Sequence, residues 1–364
     1  MSYFHALWTR PKFHGPAAPR GEIVLADFEA LTWLVSVLEI RRHSPMGLIT
    51  DRRGLEFAER TGLAPLYNGG IRIDLDEVPA DILPKPFWNA GKVFAWLKLP
   101  AGSVQVDTDA ILWQPLHPRA DVLALHTESS RWPVYAHNRE RYAQHGFPEH
   151  DWDWSVDALN TALWYFRRAE QARECAGHAL RFMTNYSAAL RDGRERDTQK
   201  GSAVVFAGQH VLAMAARRAG LTAETVGTLL PRTPQLALNP VCSHLWMSKN
   251  HYRVCAPARH AYCLHLIRHV QQHFPEASPL LERWKLREKA FTGVVREGEL
   301  QAVPLTLRKR IRVLADVPAG ALIQDVNTGA LRAAQSGAWL MPGEEVVAHG
   351  AVTARNFAPG RAGR

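Results

Sequence analysis

The chain has 364 residues, of which 46% are hydrophobic and 22% charged, with twelve Trp and a formal net charge of +9. That composition supplies a core for one large α/β domain with an appendage, or for two domains, and excludes an intrinsically disordered chain. Charged residues or prolines interrupt every apolar run before it reaches the roughly eighteen residues of a membrane span. Four Cys, at positions 175, 242, 255 and 263, make no disulfide framework and fit a reducing cytoplasm. Met1-Ser2-Tyr3-Phe4-His5 has neither a basic n-region nor a long apolar h-region, so no secretion signal is expected. The basic pairs Arg41-Arg42, Arg52-Arg53, Arg167-Arg168 and Arg217-Arg218, and Arg308-Lys309-Arg310, read as solvated helix faces. Nucleic acid is therefore not the expected partner, whereas an anionic substrate is consistent with the charge.

In chain order, Tyr3 to Trp8 reads as a short buried strand closed by Thr9-Arg10-Pro11, and a Pro/Gly-rich loop follows through Gly21. Asp27 is the expected N-cap of a helix to about His43, with Phe28, Leu31, Leu34, Val35 and Leu38 on its apolar face. Gly47 to Thr50 is a second strand, and Asp51 caps a short helix ending near Gly62. Ile71 to Ile73 is a third strand, and Pro86 to Leu97 is a helix leading to the strand before Asp107. Val122 to Leu125 is a further strand, and Asp157 to Arg168 is a strand or a short helix. Helices are expected at about 168–191 and 208–219, separated by an exposed charged loop from Arg191 to Lys200. Residues 279–292 form a last amphipathic segment.

This alternation predicts an α/β fold, a Rossmann-type, mostly parallel sheet flanked by helices. Beyond Leu305, the short apolar runs Arg312 to Leu314, Ala321 to Ile323 and Trp339 to Met341 are separated by turn residues, the pattern of a small β module. The expected organisation is a main domain over 1–300, the β module over 305–355, and a disordered tail over 356–364. No internal repeat is present.

The run from Gly102 to Trp113 carries chemistry. It sets Asp107 and Asp109 two apart at the end of a short apolar strand. Residues i and i+2 of an extended segment point the same way, so both carboxylates can converge on one divalent cation. Hard oxygen ligands with room left for phosphate oxygens suit Mg²⁺ or Mn²⁺ carrying a nucleotide diphosphate, and open α/β sheets bind ligands beyond the carboxyl ends of their strands. The same residues also read as a solvated turn. A Gly-rich phosphate loop, a Gly-X-Ser-X-Gly elbow and a His-Glu-X-X-His motif are all missing from the sequence, so P-loop, serine-hydrolase and zincin chemistry have no support. Cys242, His244, His251, Cys255, His260, Cys263 and His265 crowd together and could suggest structural zinc, but no pair has the close Cys spacing of a zinc knuckle.

Phe4-His5-Ala6-Leu7-Trp8-Thr9-Arg10-Pro11, Leu48-Ile49-Thr50-Asp51, Phe87-Trp88-Asn89-Ala90-Gly91-Lys92 and Val106-Asp107-Thr108-Asp109 follow one another in that order. Over roughly residues 1–275 the chain thereby resembles a family of uncharacterised bacterial proteins that are themselves similar to GT-A glycosyltransferases with an Asp-X-Asp motif. The resemblance implies a GT-A-like fold in which Asp107 and Asp109 hold the metal, Asp109 directly and Asp107 through water or on the ribose, while Asp107 also reads as a strand-end cap. It places Lys92 on a phosphate or the ribose, and Thr9 and Arg10 beside the base and ribose.

Asn160 resembles the Asn of an Asn-Thr-Gly segment lining the sugar pocket, with Ala162 replacing the glycine. Asp157, three residues upstream, is then an acceptor-side base or a helix N-cap. Gln209 falls where relatives carry Glu-Gln, with Gly208 in place of the acid. Ser243 to Lys249 resembles a His…Lys motif of retaining enzymes, which makes His244 a third metal ligand and Lys249 a diphosphate ligand. Here Met247 replaces a usual Gly, and the Lys falls one residue early. The implied activity is metal-dependent transfer of a glycosyl group from a nucleotide-diphosphate sugar, with Mn²⁺ or Mg²⁺, to a glycan, peptide or small-molecule acceptor. The departures at Ala162, Gly208 and Met247 motivate an alternative, a catalytically inactive GT-A-like scaffold.

Overall fold

The computed structural model describes residues 1–13, 23–196, 201–229, 240–246, 248–254, 256–284 and 286, and beyond these the backbone of strands between residues 293 and 359. Two compact units are present, Met1–Ile23 with Ser36–His244, and Val24–Val35 with Leu245–Arg364. One boundary between the two units falls between His244 and Leu245. In chain order the elements are β1 (Tyr3–Leu7), β2 (Val24–Ala26), α1 (Asp27–Arg41), β3 (Met46–Thr50), α2 (Arg52–Thr61), β4 (Ile71–Arg72), α3 (Ala90–Ala95), β5 (Val104–Val106), β6 (Ala110–Leu112), β7 (Val122–Ala124) and β8 (Thr127–Glu128). They continue with α4 (Pro133–Ala136), α5 (Arg139–Ala143), β9 (Ala158–Leu159), β10 (Leu163–Phe166), α6 (Ala169–Arg191), α7 (Ser202–Val205), α8 (Val211–Arg218), β11 (Ala223–Thr225) and β12 (Cys242–His244).

The first unit is an α/β fold around a seven-stranded sheet in the order β11-β7-β10-β5-β1-β3-β4, flanked by helices. All pairings are parallel except those of β10, which runs antiparallel to both β5 and β7. Every residue of β3, β5, β7 and β10 is buried, as expected for strands covered on both faces. The chain leaves β1 outward to β3 and β4 and returns on the other side of β1 as β5. That reversal opens a crevice beyond the carboxyl ends of β1 and β5, the position at which open α/β sheets bind ligands. The register Leu7↔Thr50 makes Trp8 and Asp51 follow side by side, and His5↔Val106 ends β5 two residues earlier, with Asp107 next in the chain.

Local chemistry explains the connections. Asp51 Oδ1 accepts from Gly54 N at 2.9 Å and starts α2, and Gly62 closes that helix at φ 80°, a left-handed value glycine adopts without strain. Gly91 has a different task, because a Cβ there would lie 2.2 Å from Trp8 Cβ. The missing side chain lets α3 rest directly on the end of β1. Behind the sheet, Tyr142, Phe147, Trp154, Phe182, Tyr186 and Phe206 pack edge-on, tilted or stacked, with Trp154 and Phe206 stacked at 5.2 Å.

Several expectations change in detail. The helix expected over Pro86 to Leu97 is only α3, since residues 84–89 form turns after Pro84 and Pro86. The segment from Asp157 to Arg168 resolves as β9 and β10, and the helix expected at 208–219 is α8, entered from α7 through a π turn at Phe206–His210. The loop through Gly21 and the end of the Arg191-to-Lys200 loop lie outside the described residues, as does most of the segment after Arg283.

In the second unit, β2 joins an antiparallel sheet with strands at Gly293–Arg296 and Glu299–Ala302. Helices at Ser248–Val254, Ala256–His273 and Ser278–Arg283 precede that sheet's later strands. Arg259 Nε donates to the buried Asp27 Oδ1 at 2.6 Å, and its guanidinium lies 5.3 Å from the Phe28 ring centroid. Later strands form two three-stranded antiparallel sheets, one of which includes Phe357–Pro359. Among the described residues no helix is long and apolar enough to cross a membrane.

His5, in the middle of β1, is fully buried, with Nδ1 3.0 Å from Tyr67 Oη and Nε2 3.1 Å from Ser36 Oγ. Burial holds its pKa down to about 3, and burial holds His210 to about 4. Both are therefore neutral in the fold and take up a proton near the ordinary pKa of ~6.5 only on unfolding. Because the folded values are depressed, their stabilisation is complete above pH ~6.5 and is lost as pH falls toward the folded values. The free energy of urea unfolding should drop from pH 7 to 4.5, each of the two contributing at most about 1.4 kcal/mol per pH unit. His5→Gln should flatten that slope, and an unchanged slope would contradict a neutral His5.

Candidate functional site

β5 and β6 are joined by Asp107-Thr108-Asp109, a tight turn closed by Ala110 N donating to the Asp107 carbonyl at 3.0 Å. Asp107 N donates to the Ala162 carbonyl at 2.7 Å and ties the turn to the start of β10. The two carboxylates therefore approach because the chain folds back, not because an extended segment presents alternate residues on one face. β6 pairs antiparallel with β12 and sets His244 opposite Ala110, which brings the imidazole to Asp109. His244 Nε2 lies 3.5 Å from Asp109 Oδ2.

Asp107, Asp109 and His244 each offer a ligand atom, and these atoms all lie within 4.8 Å of one another. Among the described residues this is the one group of three or more His, Cys, Asp or Glu that could share an ion. Metal bonds of ~2.1 Å in an octahedron put neighbouring donors about 3 Å apart and opposite ones about 4.2 Å, so the spacing suits a small divalent cation. The donor set points the same way: two hard carboxylates with one imidazole suit Mn²⁺ and tolerate Mg²⁺. His244 Nδ1 is buried with no hydrogen-bond partner, so the ring keeps coordinating capacity.

Lys92 sits elsewhere than expected. Its Nζ donates to both Asp107 oxygens, at 2.7 and 2.9 Å, rather than pointing out toward a phosphate. Gly91 brings the first turn of α3 onto Trp8, and Gln105 Nε2 fastens the Lys92 carbonyl to β5 at 3.1 Å. Of the two acids, Asp109 thus faces the His244 imidazole, and Asp107 is held by an ammonium.

Thr9 and Arg10 line a pocket of about 490 Å³ with Phe13, Asp51, Arg52 and Arg53. Thr9 is itself taken up by Asp51, which accepts from its N at 2.8 Å and from its hydroxyl at 2.9 Å, so it shapes the wall. Arg10 donates to the Val78 carbonyl at 3.2 Å, and the Arg53 guanidinium lies 4.4 Å from the Phe13 ring centroid. Lys249 lies in the first turn of the helix at Ser248–Val254, in the second unit.

The sequence reading missed Glu128, a buried carboxylate at the end of β8. Asn160 Nδ2 donates to its Oε1 at 2.7 Å and the Tyr135 hydroxyl to its Oε2 at 2.7 Å. Oriented to satisfy its neighbours, the Gln209 amide nitrogen donates to both Glu128 oxygens, at 3.2 and 3.1 Å. Burial raises the Glu128 pKa, and the bonds from Asn160 and Tyr135 oppose that rise. Asn160 and Gln209 are joined by this acid. Asp157 is separate from them: exposed, it accepts from Ser130 N at 2.9 Å and Ser130 Oγ at 3.2 Å. A lone acid after the apolar run Val122 to Leu125 was the available signal, too weak to act on.

No family model matches the chain, and no curated protein sequence matches it. Solved structures similar to it include mouse xyloside xylosyltransferase 1 in its apo form, at 12% identity and TM-score 0.33, covering 62% of this chain and 86% of that one. The PaToxG glycosyltransferase is similar at 9% identity and TM-score 0.32, covering 60% and 69% of the respective chains. The galactosyltransferase LgtC, in complex with donor and acceptor sugar analogues, is similar at 10% identity and TM-score 0.35, covering 77% of this chain and all of that one.

The Gly91 contact gives a test of how Lys92 is placed. Gly91→Ala should destabilise the fold by about 1–3 kcal/mol, because overpacking outweighs the gain in helix propensity. Gly177→Ala is the control, since a Cβ there meets nothing within 4 Å, and it should stabilise by about 0.5–1 kcal/mol. Denaturant midpoints decide, and equal effects at the two positions would refute the close packing on Trp8.

Proposed function

We propose that this chain is a metal-dependent glycosyltransferase of GT-A type, moving a glycosyl group from a nucleotide-diphosphate sugar to an acceptor hydroxyl. The observation that carries this reading is the convergence of Asp107, Asp109 and His244 at the strand-order reversal between β1 and β5. A divalent cation held there would neutralise the leaving diphosphate without any proton transfer. Asp109 and His244 are the direct ligands, and Lys92 fixes Asp107 and moderates its charge. The pocket lined by Thr9 and Arg10 carries three guanidinium groups, Arg10, Arg52 and Arg53, beside two carboxylates, Asp51 and Asp76, a balance that supports an anionic nucleotide there. Asn160 and Gln209, both fastened to Glu128, form a rigid wall on the sugar side, and Asp157 serves the acceptor side.

The closed Lys92–Asp107 pair also favours a second reading, a catalytically inactive scaffold in which the ammonium stands in for an ion. Titration calorimetry with UDP and GDP separates the two. The transferase reading expects Mn²⁺ to tighten nucleotide binding at least tenfold, and expects Asp109→Ala and His244→Ala to abolish that gain. Nucleotide affinity indifferent to Mn²⁺ would overturn it in favour of the scaffold.

A further inference from the structure

A pocket of about 740 Å³ opens in the first unit, within the ~300–1,000 Å³ range of small-molecule sites. Its walls include Ser130, Arg131, Tyr135, Arg139, Asp157 and His210. His210 is only 1% exposed, and its Nε2 lies 2.9 Å from the Val156 carbonyl. A carbonyl only accepts, so Nε2 carries the ring proton and Nδ1 is left as an acceptor lone pair. That Nδ1 is buried without a hydrogen-bond partner. Tyr135, Trp154 and Phe206 meet the ring edge-on at 5.1, 5.8 and 5.7 Å, and the π turn at Phe206–His210 sets it on the wall. π turns are rare and recur at functional sites.

The remaining lining is mixed rather than singly charged. Arg139 Nε pairs with Glu149 at 2.8 Å, and Asp157 is bonded to Ser130. Guanidinium and hydroxyl donors thus stand beside carboxylate and imidazole acceptors, the complement of a polyhydroxylated ligand rather than of a phosphate. Stacking is not the means of recognition, because Phe206 stacks on Trp154 and the Arg139 guanidinium lies 5.7 Å from the same ring. Tyr135 connects this wall to Glu128, and through it to Asn160.

We propose that this pocket binds a saccharide, one of whose hydroxyls donates to His210 Nδ1 while Asp157, Arg131 and Ser130 hold its neighbours. Naming that saccharide as the acceptor rests on the transferase reading above; the class of ligand does not.

Saturation-transfer NMR on the full chain tests the assignment with glucose, galactose, N-acetylglucosamine and lactose at millimolar concentration, with and without Mn²⁺ and UDP. At least one sugar should receive saturation. Arg131→Gln and Asp157→Asn, both at exposed positions, should each weaken it at least fivefold, as should His210→Phe if its circular dichroism is unchanged. No saturation of any of the four sugars, or equal saturation in every variant, overturns the proposal. A sugar that binds while nucleotide diphosphates do not supports the pocket and removes the transferase reading.

Discussion

The candidate site depends on one hydrogen bond, from Ala110 N to the Asp107 carbonyl, which folds the chain back at the carboxyl edge of the sheet. Without that turn, Asp107 and Asp109 would sit on a strand running on past the crevice. With it, β6 heads away from the sheet and pairs with β12, and the pairing register alone decides that His244, and not Cys242, meets Asp109. The backbone thus selects the donor atoms. Lys92 reaches the same turn from the other side, because Gly91 lets a helix lie on Trp8 where any side chain would hold it off.

A second buried acid organises the ground beside the turn. Glu128 is closed in by Asn160, Tyr135 and Gln209, so its desolvation is offset by hydrogen bonds from three different segments. Such a fully bonded carboxylate fixes the relative positions of β8, the β9–β10 connection and the π turn. A run of hydrogen bonds leads from the acidic turn through Ala162 and Asn160 to Glu128 and on to Tyr135 in the wall of the His210 pocket. The aromatic cluster behind Phe206 holds the π turn from its other face.

Much of this was legible in the sequence where local physics decides. The strands at Tyr3–Leu7 and Met46–Thr50, the Asp51 cap with its Gly62 stop, and the long helix at Ala169–Arg191 all follow from apolar runs and capping chemistry. The two acids were legible from their spacing, although for a reason the turn replaces. His244 came from the family resemblance, since nothing local distinguishes it from the other histidines nearby. What stayed hidden is whatever depends on long-range pairing. Lys92 and Asp107 are 15 residues apart, and Glu128 and Asn160 are 32 apart, so neither pair leaves a local signature. Thr9 read as a ligand-facing residue because its bond to Asp51, 42 residues on, cannot be seen from sequence.

The most direct test is the position of the ion itself. Crystals grown with Mn²⁺ and UDP, measured at the manganese absorption edge, should show an anomalous peak at bonding distance from the Asp109 carboxylate and the His244 imidazole, with the nucleotide beside it. Nucleotide bound with no peak at that position, or a peak elsewhere with Lys92 still on both Asp107 oxygens, would contradict the assignment of this turn as the metal centre.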